Sequence, residues 1–134
     1  MTLTQVINAG IGSSNTVTSE GGNVTTSLQQ GLIKAYHRYT QHSSFATLDS
    51  LNLSSSSDDN AGISTHNWTN NFGNDDYIMA GSCGSGNFLT KYGTDEQVAT
   101  TNVTTSDFHI RTSDGSNTPD DDDQQAALWT GDLA

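Results

Sequence analysis

Asp120, Asp121, Asp122 and Asp123 follow one another without a break, and clustered carboxylate oxygens are what a hard cation such as calcium takes as ligands. The loop pattern that makes such a run a calcium site is missing. Neither the glycine six positions into a calcium-binding loop nor the glutamate at its twelfth position is present. A solvated acidic loop and no cofactor are therefore expected. Calcium shared between this run and the pairs Asp58-Asp59 and Asp75-Asp76, across loops or subunits, is the alternative. His37, His42, His66 and His109 could join Cys83 around zinc, but no close pair of ligands is there to nucleate a site. His37 and His42 lie five apart, a spacing that suits neither one face of a strand nor one face of a helix. Ordinary polar or interface histidines are expected, and no metal ligands.

Catalytic patterns are equally sparse. The nucleophile elbow G-x-S-x-G, the zinc-protease H-E-x-x-H and the glycine-rich phosphate loops do not occur. The loop from Gly81 to Gly86 has no lysine following it and reads as a turn that holds Cys83 as a small side chain. Fifteen acidic residues supply accidental carboxylate pairs in plenty, so a glycosidase pair has no diagnostic value. No enzymatic activity is expected. Trp68 and Trp129 are the natural platforms for stacking on sugar rings, although their places at the ends of apolar segments suit core or subunit contacts better.

Charge narrows the partners. Four basic residues oppose fifteen acidic ones, giving a formal net charge of −11 over 134 residues. Phosphate backbones are bound through lysine and arginine, so no nucleic acid is expected as a partner, and anionic membrane surfaces are disfavoured for the same reason. Residues 1–12 lack the basic-then-apolar order of a signal peptide, and no apolar stretch is long enough to span a bilayer, so no membrane insertion is expected. Cys83 is the one cysteine and leaves no intrachain disulfide to support the fold.

The elements that must hold these residues read as strands. Helical periodicity is almost absent, and Gly, Ser, Asn and Asp interrupt the chain every roughly 8–12 residues. The fold class is all-β, an antiparallel β-sandwich or jelly-roll-like domain over residues 31–134. Residues 1–30, without one aromatic, are expected to form an extended N-terminal arm for attachment or assembly, with a flexible tail as the alternative. Within residues 32–40 the alternation sets Ile33, Ala35, His37 and Tyr39 on one face and Leu32, Lys34, Tyr36 and Arg38 on the other. Further strands are expected over residues 46–53, 63–68, 77–82, 87–92, 97–103, 108–112 and 126–129, with a pairing segment near residues 3–7. Turns are expected over residues 54–62, 70–76, 83–86, 93–96 and 113–125. The hydrophobic residues make up 31% of the chain, a thin allotment for a monomer. A core shared between copies is the expected remedy, with Tyr36, Trp68, Phe72, Tyr77 and Trp129 as the core or interface aromatics.

From residue 34 onward the chain resembles a β-sandwich module of phage tail fibres and virion appendages. Lys34-Ala35-Tyr36 stands at that family's first strand and Ser50-Leu51-Asn52-Leu53-Ser54-Ser55 at its second. Asp59-Asn60-Ala61-Gly62 and Thr65-His66-Asn67-Trp68 follow, the spacing to Tyr77 and to Gly81-Ser82 is kept, and residues 127–134 form the closing strand. Ser64 stands where an aromatic is usual, Gly73 where proline is, and Asn60-Ala61 replaces the usual Asn-Gly turn. The resemblance implies a non-enzymatic structural component of a bacteriophage virion, most simply a homotrimeric tail fibre or appendage subunit, made in the host cytoplasm and localised to the virion. Its implied partners are copies of itself and other phage tail or capsid proteins. A capsid cement or decoration protein is one alternative, and a receptor module that binds host surface glycans is another. The resemblance implies no catalytic residues.

Overall fold

A computed structural model describes residues 16–18, 25–27, 32–84, 87–91 and 103–133. The chain divides between Leu32 and Ile33 into two units. In the first, β1 (Thr16–Thr18) and β2 (Thr25–Ser27) pair antiparallel, with Val17 opposite Thr26. Threonine is well suited to such a ladder, since its branched side chain fits the pleated surface. The segment near residues 3–7, the turn at 93–96 and all of the expected strand at 97–103 except Val103 lie outside the described residues.

The second unit is all-β. Its strands are β3 (Ala35–Thr40), β4 (Ala46–Leu51), β5 (Leu53–Asn60), β6 (Ile63–Trp68), β7 (Ile78–Cys83), β8 (Phe88–Lys91), β9 (Asp107–Ser113) and β10 (Gln125–Thr130). They form two four-stranded sheets, ordered β4-β3-β10-β7 and β5-β6-β9-β8. Every pairing within them is antiparallel. The inner faces pack on one another as a β-sandwich.

Period-two alternation decides which side chains go inside. On β3 it buries Ala35, His37 and Tyr39, on β6 Ser64, His66 and Trp68, on β9 Phe108, Ile110 and Thr112, and on β10 Gln125, Ala127 and Trp129. One end of this interior is aromatic. Trp68 meets Trp129 edge-on with ring centroids 4.8 Å apart, and Phe72 stacks on Tyr77 at 4.0 Å. The Tyr77 hydroxyl lies 2.8 Å from both the Thr104 and Asp107 carbonyl oxygens, and burial pushes its pKa up to about 12. The other end is polar. Gln125 donates to Gln41 at 3.0 Å and accepts from Thr112 at 2.9 Å, while Gln41 also donates to Asp58 at 2.8 Å. Buried amides survive only when bonded in this way.

Two left-handed residues shape the path of the chain around β5. Asn52, at φ 57°, ends β4 and starts β5, carrying the chain from the first sheet to the second. Its side chain holds that corner by accepting from the Asn70 backbone N–H at 2.7 Å and donating to the Asn70 carbonyl at 2.9 Å. Gly62, at φ 63°, turns β5 into β6 where a Cβ would come within 2.4 Å of the Thr112 carbonyl oxygen. Only glycine satisfies both conditions.

The expectation of a turn over residues 54–62 is corrected. Residues 53–60 form β5, and the turn is confined to Ala61 and Gly62. β5 is an edge strand with no fully buried residue, so its serines and aspartates need no apolar alternation, and the strand is held instead by its ladder to β6. Ser54 adds a bond to the Asn67 carbonyl at 3.1 Å, and the Asn67 amide donates to Ser55 at 3.1 Å.

Candidate functional site

The residues that alternation turns outward give the two sheets different surfaces. On the first sheet, Leu51, Tyr36, Leu128 and Ala80 lie side by side across β4, β3, β10 and β7, and Asp49, Arg38, Ala126 and Ser82 form the next row. Ile78 is 66% exposed, Ile33 49% and Leu51 46%. A groove of about 540 Å³ crosses this face. Ala80, Gly81, Ala126 and Ala127 line it together with Ile33, Tyr36, Arg38 and Leu128. These apolar side chains are clustered on the face and not scattered singly over it. The charged groups there are the cross-strand neighbours Arg38 and Asp49. Partial loss of water contact and the hydrogen bond to Asp49 raise the Tyr36 pKa above that of a free tyrosine.

On the second sheet the outward side chains of β5, β6 and β9 are mostly polar, Ile63 being the exception, and several bond one another. Ser57 and Thr65 both donate to Asp59, His109 lies 3.4 Å from the Asp107 carboxylate, and Arg111 donates to the Asn117 carbonyl at 2.7 Å.

The acidic loop does not gather its carboxylates. Asp120 accepts from Asn87 at 3.2 Å, and Asp121 accepts from the Gly62 backbone N–H at 2.6 Å. Asp122 is buried and accepts from the Gly84 and Gln124 N–H groups through one carboxylate oxygen, while Asp123 is exposed. Neighbours in sequence are thus spent on separate loops, tying the β9–β10 connection to the ends of β5 and β7. Among the described residues no three His, Cys, Asp or Glu side chains are grouped to hold a metal ion. Cys83 is half-buried, and lost solvation and the Asp122 carboxylate raise its thiol pKa.

Of the aromatics singled out from the sequence, Trp68, Phe72, Tyr77 and Trp129 belong to the buried cluster and only Tyr36 reaches the outer face. Trp68 and Trp129, 5% and 0% exposed, present no platform to a sugar. The arrangement that sequence spacing does not disclose is the pairing of His37 with His66, 29 residues apart, whose Nδ1 atoms lie 2.9 Å from each other inside the sandwich. The available signal is their position: each occupies an inward step of an alternating strand, His37 between Ala35 and Tyr39, His66 between Ser64 and Trp68. Comparison of the chain with protein-family models, with curated proteins and with solved structures gives no match.

Proposed function

We propose that this chain is a non-enzymatic structural subunit that assembles with copies of itself through the outer face of the β4-β3-β10-β7 sheet, as a component of a bacteriophage virion. The observation that carries the assembly reading is the apolar, grooved surface formed by Ile33, Tyr36, Leu51, Ile78, Ala126 and Leu128 on a chain of net charge −11. Elsewhere like charge keeps copies apart. This face carries one arginine and one aspartate in adjacent register and therefore adds little repulsion. Burying it contributes about 25 cal/mol for each Å² of apolar surface removed from water.

The place in a virion rests on the resemblance of residues 34–134 to tail-fibre and appendage modules. That resemblance also supports the trimer, with residues 1–30 attaching it to a tail or capsid protein. The groove lining favours a protein partner over a glycan. Sugar hydroxyls need a dense set of polar partners, whereas this lining is mostly apolar, with Arg38, Asp49 and Ser82 among its polar members, and suits apolar side chains of a facing protein surface. Light scattering on the full chain over a range of concentrations tests the assembly reading. A defined oligomer, three times 14.2 kDa for the trimer, supports it, and a monomer at every concentration overturns it. Presence of the chain in purified particles tests the virion placement.

A further inference from the structure

The two sheets are joined inside the sandwich by a continuous chain of polar side chains. It starts at Ser56 on β5, whose hydroxyl lies 3.3 Å from that of Thr47 on β4. Thr47 then bonds His37 Nε2 at 2.9 Å, and His37 Nδ1 meets His66 Nδ1 at 2.9 Å. His66 Nε2 bonds Ser64 at 3.1 Å, and Ser64 bonds the Tyr39 hydroxyl at 3.0 Å. His37 belongs to the first sheet and His66 to the second, so the nitrogen-to-nitrogen bond is itself an inter-sheet contact. Both rings are at most 1% exposed, whereas the Ser56 end of the chain opens to solvent.

At 2.9 Å one Nδ1 must donate and the other accept, so the neutral pair holds one proton between the two rings. Hydroxyls at the outer nitrogens tolerate either direction, because each can donate or accept. A first added proton keeps every bond in the chain but leaves a buried charge. A second would set N–H against N–H across the inter-sheet contact.

The surroundings offer that charge little relief. Tyr39 stacks on His37 at 4.5 Å on β3, Phe45 lies 6.4 Å away before β4, and Trp129 on β10 lies 5.6 Å from His66. From β9, His109 acts on His66 as a further positive group in its charged form, and its own partner is Asp107. Asp58 on β5 lies on the Tyr39 side and is bonded to Gln41. Among the described residues no carboxylate hydrogen-bonds either ring.

We infer that the His37–His66 pair is an acid-released clasp between the two sheets: neutral, it holds them together, and proton uptake from solvent drives them apart along the β4–β5 side. Burial lowers the His37 pKa from 6.5 to about 4, and burial with the neighbouring histidines lowers that of His66 well below 6.5. The folded state therefore binds fewer protons than the unfolded chain below pH 6.5. The stability this confers is complete above that value and is lost as the pH falls towards 4.

Imidazole ¹⁵N NMR of the folded, full-length protein, together with denaturant midpoints between pH 8 and 5, tests this. Both rings are expected to remain neutral at pH 5.5. His37 alone is expected to lower the folding equilibrium constant about thirtyfold between pH 8 and 5. In His37→Asn, which keeps a group able to bond His66 but cannot take the proton, that loss is expected to shrink. Either ring titrating at pH 5.5 or above in the wild-type spectrum overturns the inference, as does an unchanged pH slope in a folded His37→Asn protein. Should the variant fail to fold, the wild-type titration decides alone.

Discussion

Thr65 on β6 and Ala126 on β10 both sit on inner strands and both point away from the sandwich, yet they face different surroundings. Thr65 is bound to Asp59 and lies 3.3 Å from His109, part of a polar surface whose members satisfy one another. Ala126 lines an apolar groove. Both sheets obey the same alternation and cover the same interior, so folding does not require this difference. On the assembly proposed above, solubility is managed on one side of the domain and association on the other. Acid-rich β5 marks the first side, and exposed Ile78 and Leu51 mark the second.

The comparison can be broken from beneath or from either side. Trp129→Ala should have the largest effect, since that ring touches Trp68, His66 and Phe108 and is wholly buried. A loss of about 4 kcal/mol in the free energy of unfolding is expected in denaturant titration, removing both surfaces together. Ala126→Asp should separate assembly from folding. A carboxylate desolvated in the groove is expected to weaken self-association by about a hundredfold, or ~2.7 kcal/mol, in sedimentation experiments. The thermal midpoint of the dissociated subunit should move little, because the position is exposed and the sheet interior untouched. Thr65→Leu sharpens the contrast from the polar side. It removes the hydroxyl shared with Asp59 and His109 and is expected to cost about 1 kcal/mol without creating a new association, because its cross-strand neighbours Ser57 and His109 are polar. Tyr36→Phe should have the smallest effect, leaving the denaturant midpoint essentially unchanged. Its hydroxyl bonds Asp49 at the surface, and the ring that lines the groove remains, so oligomer mass should not change.

How far the sequence disclosed this arrangement depends on burial. β6 is readable to its ends because Ser64, His66 and Trp68 alternate inward against Thr65 and Asn67, and β3 is readable for the same reason through Ala35, His37 and Tyr39. β5 is not, because none of its eight residues is fully buried and a run of serine and aspartate resembles a turn when judged by residue type alone. Outer-face chemistry was legible only in part. Tyr36 among the apolar residues of β3 hints at a second contact surface. The groove, however, depends on β10 lying between β3 and β7, and strand order is a long-range property that local pattern does not contain. The histidine pair was hidden in the same way, since its geometry is created by two sheets meeting. The acidic run shows the converse: a conspicuous local pattern whose members the fold sends to different partners.

Oxidative footprinting of the full-length protein at increasing concentration tests the central claim most directly, because it reports which side chains lose solvent as copies meet. Protection of Tyr36, Ile78 and Leu128 that rises with oligomer mass, with His109 on the opposite sheet still reactive, is the predicted result. Growth in mass with Tyr36, Ile78 and Leu128 unprotected, or with protection centred on His109, would contradict the assignment of assembly to the β4-β3-β10-β7 face.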